Sequence, residues 1–166
     1  MIRNSYCFVG LPFSGKSYLG RCISFNKNKG FIDTDNMIKY KYNKDLKDII
    51  KEKGDKEFIN IENKILSSLS FENTIVSPGG SAIYSNVGME HLKTNLNCEI
   101  IHLYLPFEEF KKRATDLEKR GVINPSNLDL KSLYDERINL CNYYSDITLY
   151  AQNKNNIYKE LKIILD

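Results

Sequence analysis

The chain has 166 residues, of which 42% are hydrophobic and 27% charged, with a formal net charge of +3. That is the profile of one ordinary globular domain with a real core, expected to span 1–166. No run is apolar enough for a membrane-spanning helix, and no basic stripe interleaved with exposed aromatics marks a nucleic-acid binder. Cys7, Cys22, Cys98 and Cys141 are scattered without a C-x-x-C pair. They read as reduced thiols of a cytoplasmic protein, and Met1-Ile2-Arg3-Asn4 leads too directly into the first strand for a secretory signal.

In chain order, Ser5-Tyr6-Cys7-Phe8-Val9 is β-prone, and Tyr18-Leu19 with Cys22-Ile23 carries helical spacing to about Phe25. A polar turn precedes a short strand, Phe31-Ile32-Asp33, which ends in Asp33-Thr34-Asp35. Helices are expected over Asn36 to Tyr42, Asp45 to Lys53 and Asp55 to Leu69, with Gly54 stopping the second. Thr74-Ile75-Val76-Ser77 is a third strand running into Pro78-Gly79-Gly80-Ser81, followed by a helix near 87–93. Glu99 to Leu105 is a fourth strand, and Pro106 suits the first turn of the next helix. Residues 115–127 are polar and read as a mobile loop. Helix Leu130 to Tyr144, strand Asp146 to Tyr150 and a helix over Asn155 to Leu165 complete the chain. Alternating strands and helices predict an α/β fold with a parallel sheet covered on both faces. Ligands in such sheets sit beyond the carboxyl ends of the strands.

Three motifs follow strand ends and should meet in one cleft. Gly10-Leu11-Pro12-Phe13-Ser14-Gly15-Lys16-Ser17 fits G-x-x-x-x-G-K-[ST], the phosphate-binding loop. Its backbone N–H groups and the following helix dipole suit a phosphate; Lys16 would reach the β- and γ-phosphates and Ser17 would ligate Mg²⁺. Phe13 stands where some such loops have a further glycine. On an extended backbone Asp33 and Asp35 point to opposite sides, one toward the metal shell and one toward an acceptor hydroxyl; the alternative is that Asp35 merely caps a helix. Gly79 and Gly80 either present N–H groups to a substrate or make a tight turn. Arg113 and Arg120 bracket the polar loop and could close over a transferring phosphate. Arg137 either binds a carboxylate bidentately or pairs at the surface with Asp135 or Glu136. His91 and His102 have no partner at metal-ligand spacing.

Taken together these residues resemble the shikimate kinase family, small members of the nucleoside-monophosphate-kinase-like P-loop group. The resemblance rests on the Gly10–Ser17 loop, Asp33-Thr34-Asp35, Gly54 with Phe58 and Glu62, Ser77-Pro78-Gly79-Gly80, Arg113, Arg120 and Leu133 to Arg137. It implies a three-layer fold with a five-stranded sheet in order 2-3-1-4-5, a lid at about 113–127 and an acceptor-binding helical region at about 35–62. It also implies ATP-dependent phosphorylation of the shikimate 3-hydroxyl by a monomer. ATP would lie on Gly10, Pro12, Phe13, Ser14, Gly15, Lys16, Ser17 and Tyr18, with Arg113 beside the adenine or phosphates. Ser17 and Asp33 would hold Mg²⁺. Asp35, Gly79, Gly80 and Arg137 would hold shikimate, with Lys16, Asp35 and Arg120 catalytic. Seven positions depart from the family pattern. Ile59 stands for an arginine that helps bind the carboxylate, Ser81 for a third glycine, and Gly121-Val122-Ile123 for Pro-Leu-Leu; Asn139 and Cys141 replace a proline and a tyrosine. The alternatives are a kinase for another small hydroxylated metabolite, or a nucleotide-binding protein without catalysis.

Overall fold

The computed structural model describes residues 4–114, 121–151 and 154–165. Five strands, β1 (Tyr6–Val9), β2 (Gly30–Asp33), β3 (Thr74–Ser77), β4 (Glu99–Tyr104) and β5 (Ile147–Tyr150), form one sheet in the order β2-β3-β1-β4-β5. Every adjacent pair is parallel. This is the α/β fold and the strand order that the resemblance implies.

Alternation along β1 explains the layers. Tyr6 and Phe8 face one side with Leu19 and Ile23 of α1 (Lys16–Asn26) and Ile157 and Leu161 of α8 (Lys154–Ile164). Cys7 and Val9 face the other, against Leu66 of α4 (Asp55–Ser67), Met89 of α5 (Asn86–Glu90) and Cys141 of α7 (Leu130–Tyr144). Successive side chains of a strand point to opposite faces, so four residues serve both cores. A third cluster joins Ile38 of α2 (Thr34–Tyr42), Ile49 of α3 (Leu46–Lys53), Phe58, Ile61 and Ile65 of α4, and Ile123. It is the packing that ties the helices after β2 to the segment after residue 120.

The helix expected near 87–93 is built differently. A 3-10 turn at Ala82–Tyr84 precedes α5, and a wide π turn at His91–Asn95 follows it. The helix after β4, α6 (Phe107–Arg113), starts with Pro106 as its N-cap rather than inside its first turn.

Candidate active site

The loop between β1 and α1 wraps as the motif requires. Gly15 takes φ +94 at the start of α1, and Phe13 is also left-handed at φ +69. A bulky residue in that region costs about 1–2 kcal/mol, so the loop stores strain that glycine would not. Lys16 is buried, and its ammonium folds back to donate to the carbonyls of Gly10 and Leu11, each at 2.9 Å. Burial lowers its pKa to about 8, with the nearby Asp35 carboxylate opposing the shift. The cation is thus stored against its own loop, within reach of whatever enters.

At the end of β2 the chain enters its helix earlier than the sequence pattern suggests. Asp33, not Asp35, is the N-cap, its carboxylate accepting the Asn36 N–H at 3.2 Å. Thr34 and Asp35 already have helical geometry, so the extended-backbone argument for opposite-facing carboxylates does not apply, and Asp35 is not the cap. It instead faces the cleft. Burial, reinforced by Asp33, raises its pKa to about 6.

At the end of β3, Ser77 lies in register with Asp33, and its hydroxyl is 3.2 Å from that of Ser17. The next residues make the acceptor side of the cleft. A Cβ on Gly79 would fall 2.5 Å from Asp35 Oδ1 and 2.9 Å from Glu62 Oε1, closer than real contacts allow. Only glycine lets both carboxyls approach this backbone. Glu62 is 1% exposed. Its Oε1 accepts the Ser81 hydroxyl at 2.8 Å, while Oε2 has no partner among the described residues.

Arg137 is buried on α7, which removes the surface ion-pair alternative. Its two terminal nitrogens donate to the carbonyls of Gly80 at 3.0 Å and Ile123 at 2.8 Å, and its guanidinium lies 5.4 Å from the Tyr84 ring. Nε has no partner among the described residues. Arg113 donates to the carbonyl of Phe13 at 3.3 Å and approaches Glu109 at 3.8 Å, tying α6 to the phosphate loop. Arg120 lies outside the described residues, as does part of the expected lid. Its described end is anchored: the Asn124 N–H donates to Asp55 at 2.7 Å, and Ile123 is buried in the third cluster.

These groups surround one cleft of about 490 Å³. Of the expected residues, Pro12, Phe13, Gly15, Lys16, Ser17, Tyr18, Asp35, Gly79, Gly80, Arg113 and Arg137 line it; Gly10, Ser14 and Asp33 stand behind that wall. Leu46 and Val122 also line it; they fall within the expected acceptor-binding region and lid but were not singled out, because they reach the cleft only through tertiary packing. Glu62 had a readable signal: it is a lone acid inside the apolar stripe Phe58, Ile61, Ile65, Leu66. Ile59 does not line the cleft; it packs beside the third cluster.

A family model described as shikimate kinase matches residues 12–165. The shikimate kinase of Dictyoglomus turgidum is 30% identical, covering 92% of this chain and 91% of its own length. That of Clostridium beijerinckii is also 30% identical, over 99% of this chain and 97% of its own. The crystal structure of shikimate kinase from Aquifex aeolicus superposes with a TM-score of 0.83 at 25% identity, covering 97% of this chain and 95% of that one.

Proposed function

The chain belongs to the shikimate kinase family, and from that premise we propose that it transfers the γ-phosphate of ATP to the 3-hydroxyl of shikimate. The observation that carries this reading is the convergence of Lys16, Asp35 and the buried Arg137 on one cleft.

The donor half follows from the loop. Backbone N–H groups at the start of α1 receive the phosphates, and Lys16 leaves the carbonyls of Gly10 and Leu11 to follow the charge that develops on the transferring group. Ser17, Ser77 and Asp33 gather hydroxyl and carboxylate oxygens at adjacent strand ends. Such hard donors fit Mg²⁺, which binds through one or two protein oxygens plus substrate phosphates. Ser17 and Asp33 would hold the ion, and when bound it neutralises phosphate charge.

On the acceptor side, Arg137 receives the shikimate carboxylate and Asp35 receives the 3-hydroxyl proton. The bond from the 3-oxygen to the γ-phosphorus forms as the bond to the β–γ bridging oxygen breaks, and ADP leaves. An Asp35 pKa of about 6 suits a proton acceptor near neutral pH better than an ordinary aspartate would. Arg120 completes the assignment as the arginine over the transferring phosphate, and Arg113 holds the phosphate loop. The monomeric state and the cytoplasmic location expected from the sequence belong to the same reading.

ADP release coupled to a spectrophotometric readout tests it. Shikimate should accelerate ADP formation saturably with ATP and Mg²⁺ present, and Lys16→Ala should abolish the effect. No shikimate-dependent rate, with ATP still bound, would refute it.

A further inference from the structure

Tyr84 stands behind Arg137 and does not itself line the cleft. The guanidinium lies over the Tyr84 ring, its central carbon 5.4 Å from the ring centroid. At that range a cation is drawn to the negative face of an aromatic ring, most strongly where water is excluded, and Arg137 is buried. Its two hydrogen bonds, to the carbonyls of Gly80 and Ile123, leave from the terminal nitrogens. The N–H groups of a guanidinium lie in its plane, so these bonds hold the group by its edge. The ring holds it by its face, and thereby sets the tilt of the plane.

Tyr84 is fixed in turn. It ends the 3-10 turn at Ala82–Tyr84, which follows Gly80 and Ser81 directly. Its hydroxyl donates to one oxygen of Glu136, whose other oxygen accepts the Ser126 hydroxyl at 3.4 Å. Glu136 precedes Arg137 on α7, so the hydroxyl and the face of the ring both meet neighbouring residues of one helix. The rest of the side chain packs against the second and third core clusters. No carboxylate pairs with Arg137 among the described residues, and Nε has no partner there. An aromatic face orients a cation without neutralising it or occupying its N–H groups, whereas a carboxylate partner would do both.

We propose that Tyr84 is a positioning residue for the acceptor, its ring face orienting Arg137 to receive the acceptor's carboxylate. The inference rests on shikimate being the acceptor.

The test is steady-state kinetics of Tyr84 variants, with shikimate and ATP each varied. Tyr84→Leu removes the aromatic face and should raise the shikimate KM by about 2- to 30-fold, the factor that a cation–ring contact supplies. The ATP KM and kcat should stay within about twofold, because a grip on the carboxylate is the same before and during phosphoryl transfer. Tyr84→Phe keeps the face and should stay near the intact protein. Leucine also changes the packing, so the deciding set is Tyr84→Phe with successively more fluorines on the ring. Fluorine withdraws charge from the ring face with little change of shape, an effect that packing alone does not register. The shikimate KM should climb with each added fluorine while the ATP KM stays level. A flat fluorine series, an unchanged shikimate KM in Tyr84→Leu, or a rise shared equally by ATP overturns the inference while leaving the shikimate kinase activity standing. No shikimate-dependent turnover in the intact protein overturns that activity, and the inference with it.

Discussion

Asp33 accepts the backbone N–H of Asn36 at 3.2 Å, and this cap sets where Asp35 stands. By starting α2 at Thr34, it places Asp35 in the first turn, facing the cleft rather than strung along an extended strand. Asp35→Asn keeps the shape and removes the proton acceptor. We expect kcat to fall by about 10²- to 10⁴-fold, the usual scale of general acid–base catalysis. The ATP KM should stay within about threefold, because the role proposed for this side chain is toward the acceptor rather than the donor. Steady-state kinetics with each substrate varied checks both; a parallel loss of ATP affinity would contradict the assignment.

Glu62 also makes stability depend on pH. Its pKa is about 8 in the folded chain against an ordinary 4.5, so the native state holds a proton that the unfolded state has lost. The contribution is full below pH 4.5 and is lost as pH rises through 8. The unfolding free energy of the intact protein from urea titrations should therefore fall relative to Glu62→Gln between pH 5 and pH 8, by on the order of a few kcal/mol. Parallel curves for the two proteins would show that Glu62 is not held protonated.

Gly121 has φ +65, and a Cβ there would fall 2.8 Å from the Lys47 nitrogen. Proline, the residue of the family pattern, is locked near φ −65° and cannot take this conformation. Gly121→Pro should destabilise the chain by roughly 1–3 kcal/mol and raise the shikimate KM, since Val122 and Ile123 follow directly. Thermal unfolding and kinetics read the two effects. Unchanged values would mean that this segment does not depend on the left-handed geometry.

Ile59→Arg tests the acceptor end from the other side. Ile59 packs beside the third cluster without lining the cleft, so an arginine there, one turn before Glu62, brings a second cation to the acceptor by reaching past that packing with its longer side chain. The shikimate KM should drop by about tenfold or more, the scale of a charged hydrogen bond, with the ATP KM unchanged. Unchanged shikimate affinity would mean that the space beside α4 is closed to the acceptor.

Strands, their connections and the phosphate loop were legible because each rests on local rules: β-prone runs, helical periodicity, and glycine with lysine at fixed spacing. The strand order came with the family resemblance, since periodicity alone does not order a sheet. A single helix was expected near 87–93; residues 82–95 instead form three short pieces, a break with no local sequence signal we can name. Arg137 stood open between a ligand and a surface pair. Its burial depends on Gly80 and Ile123, distant in sequence, whose carbonyls hold it. The pairing of Ser81 with Glu62 likewise exists only once α4 packs beside the loop after β3.

The most direct measurement is product analysis after incubation with ATP, Mg²⁺ and a panel of shikimate, other polyols, sugar acids and nucleoside monophosphates. The arrangement of Asp35 and Arg137 predicts one phosphorylated product, shikimate carrying phosphate on its 3-hydroxyl by mass and phosphorus NMR. Phosphate on a different panel member, with shikimate unmodified, would contradict it.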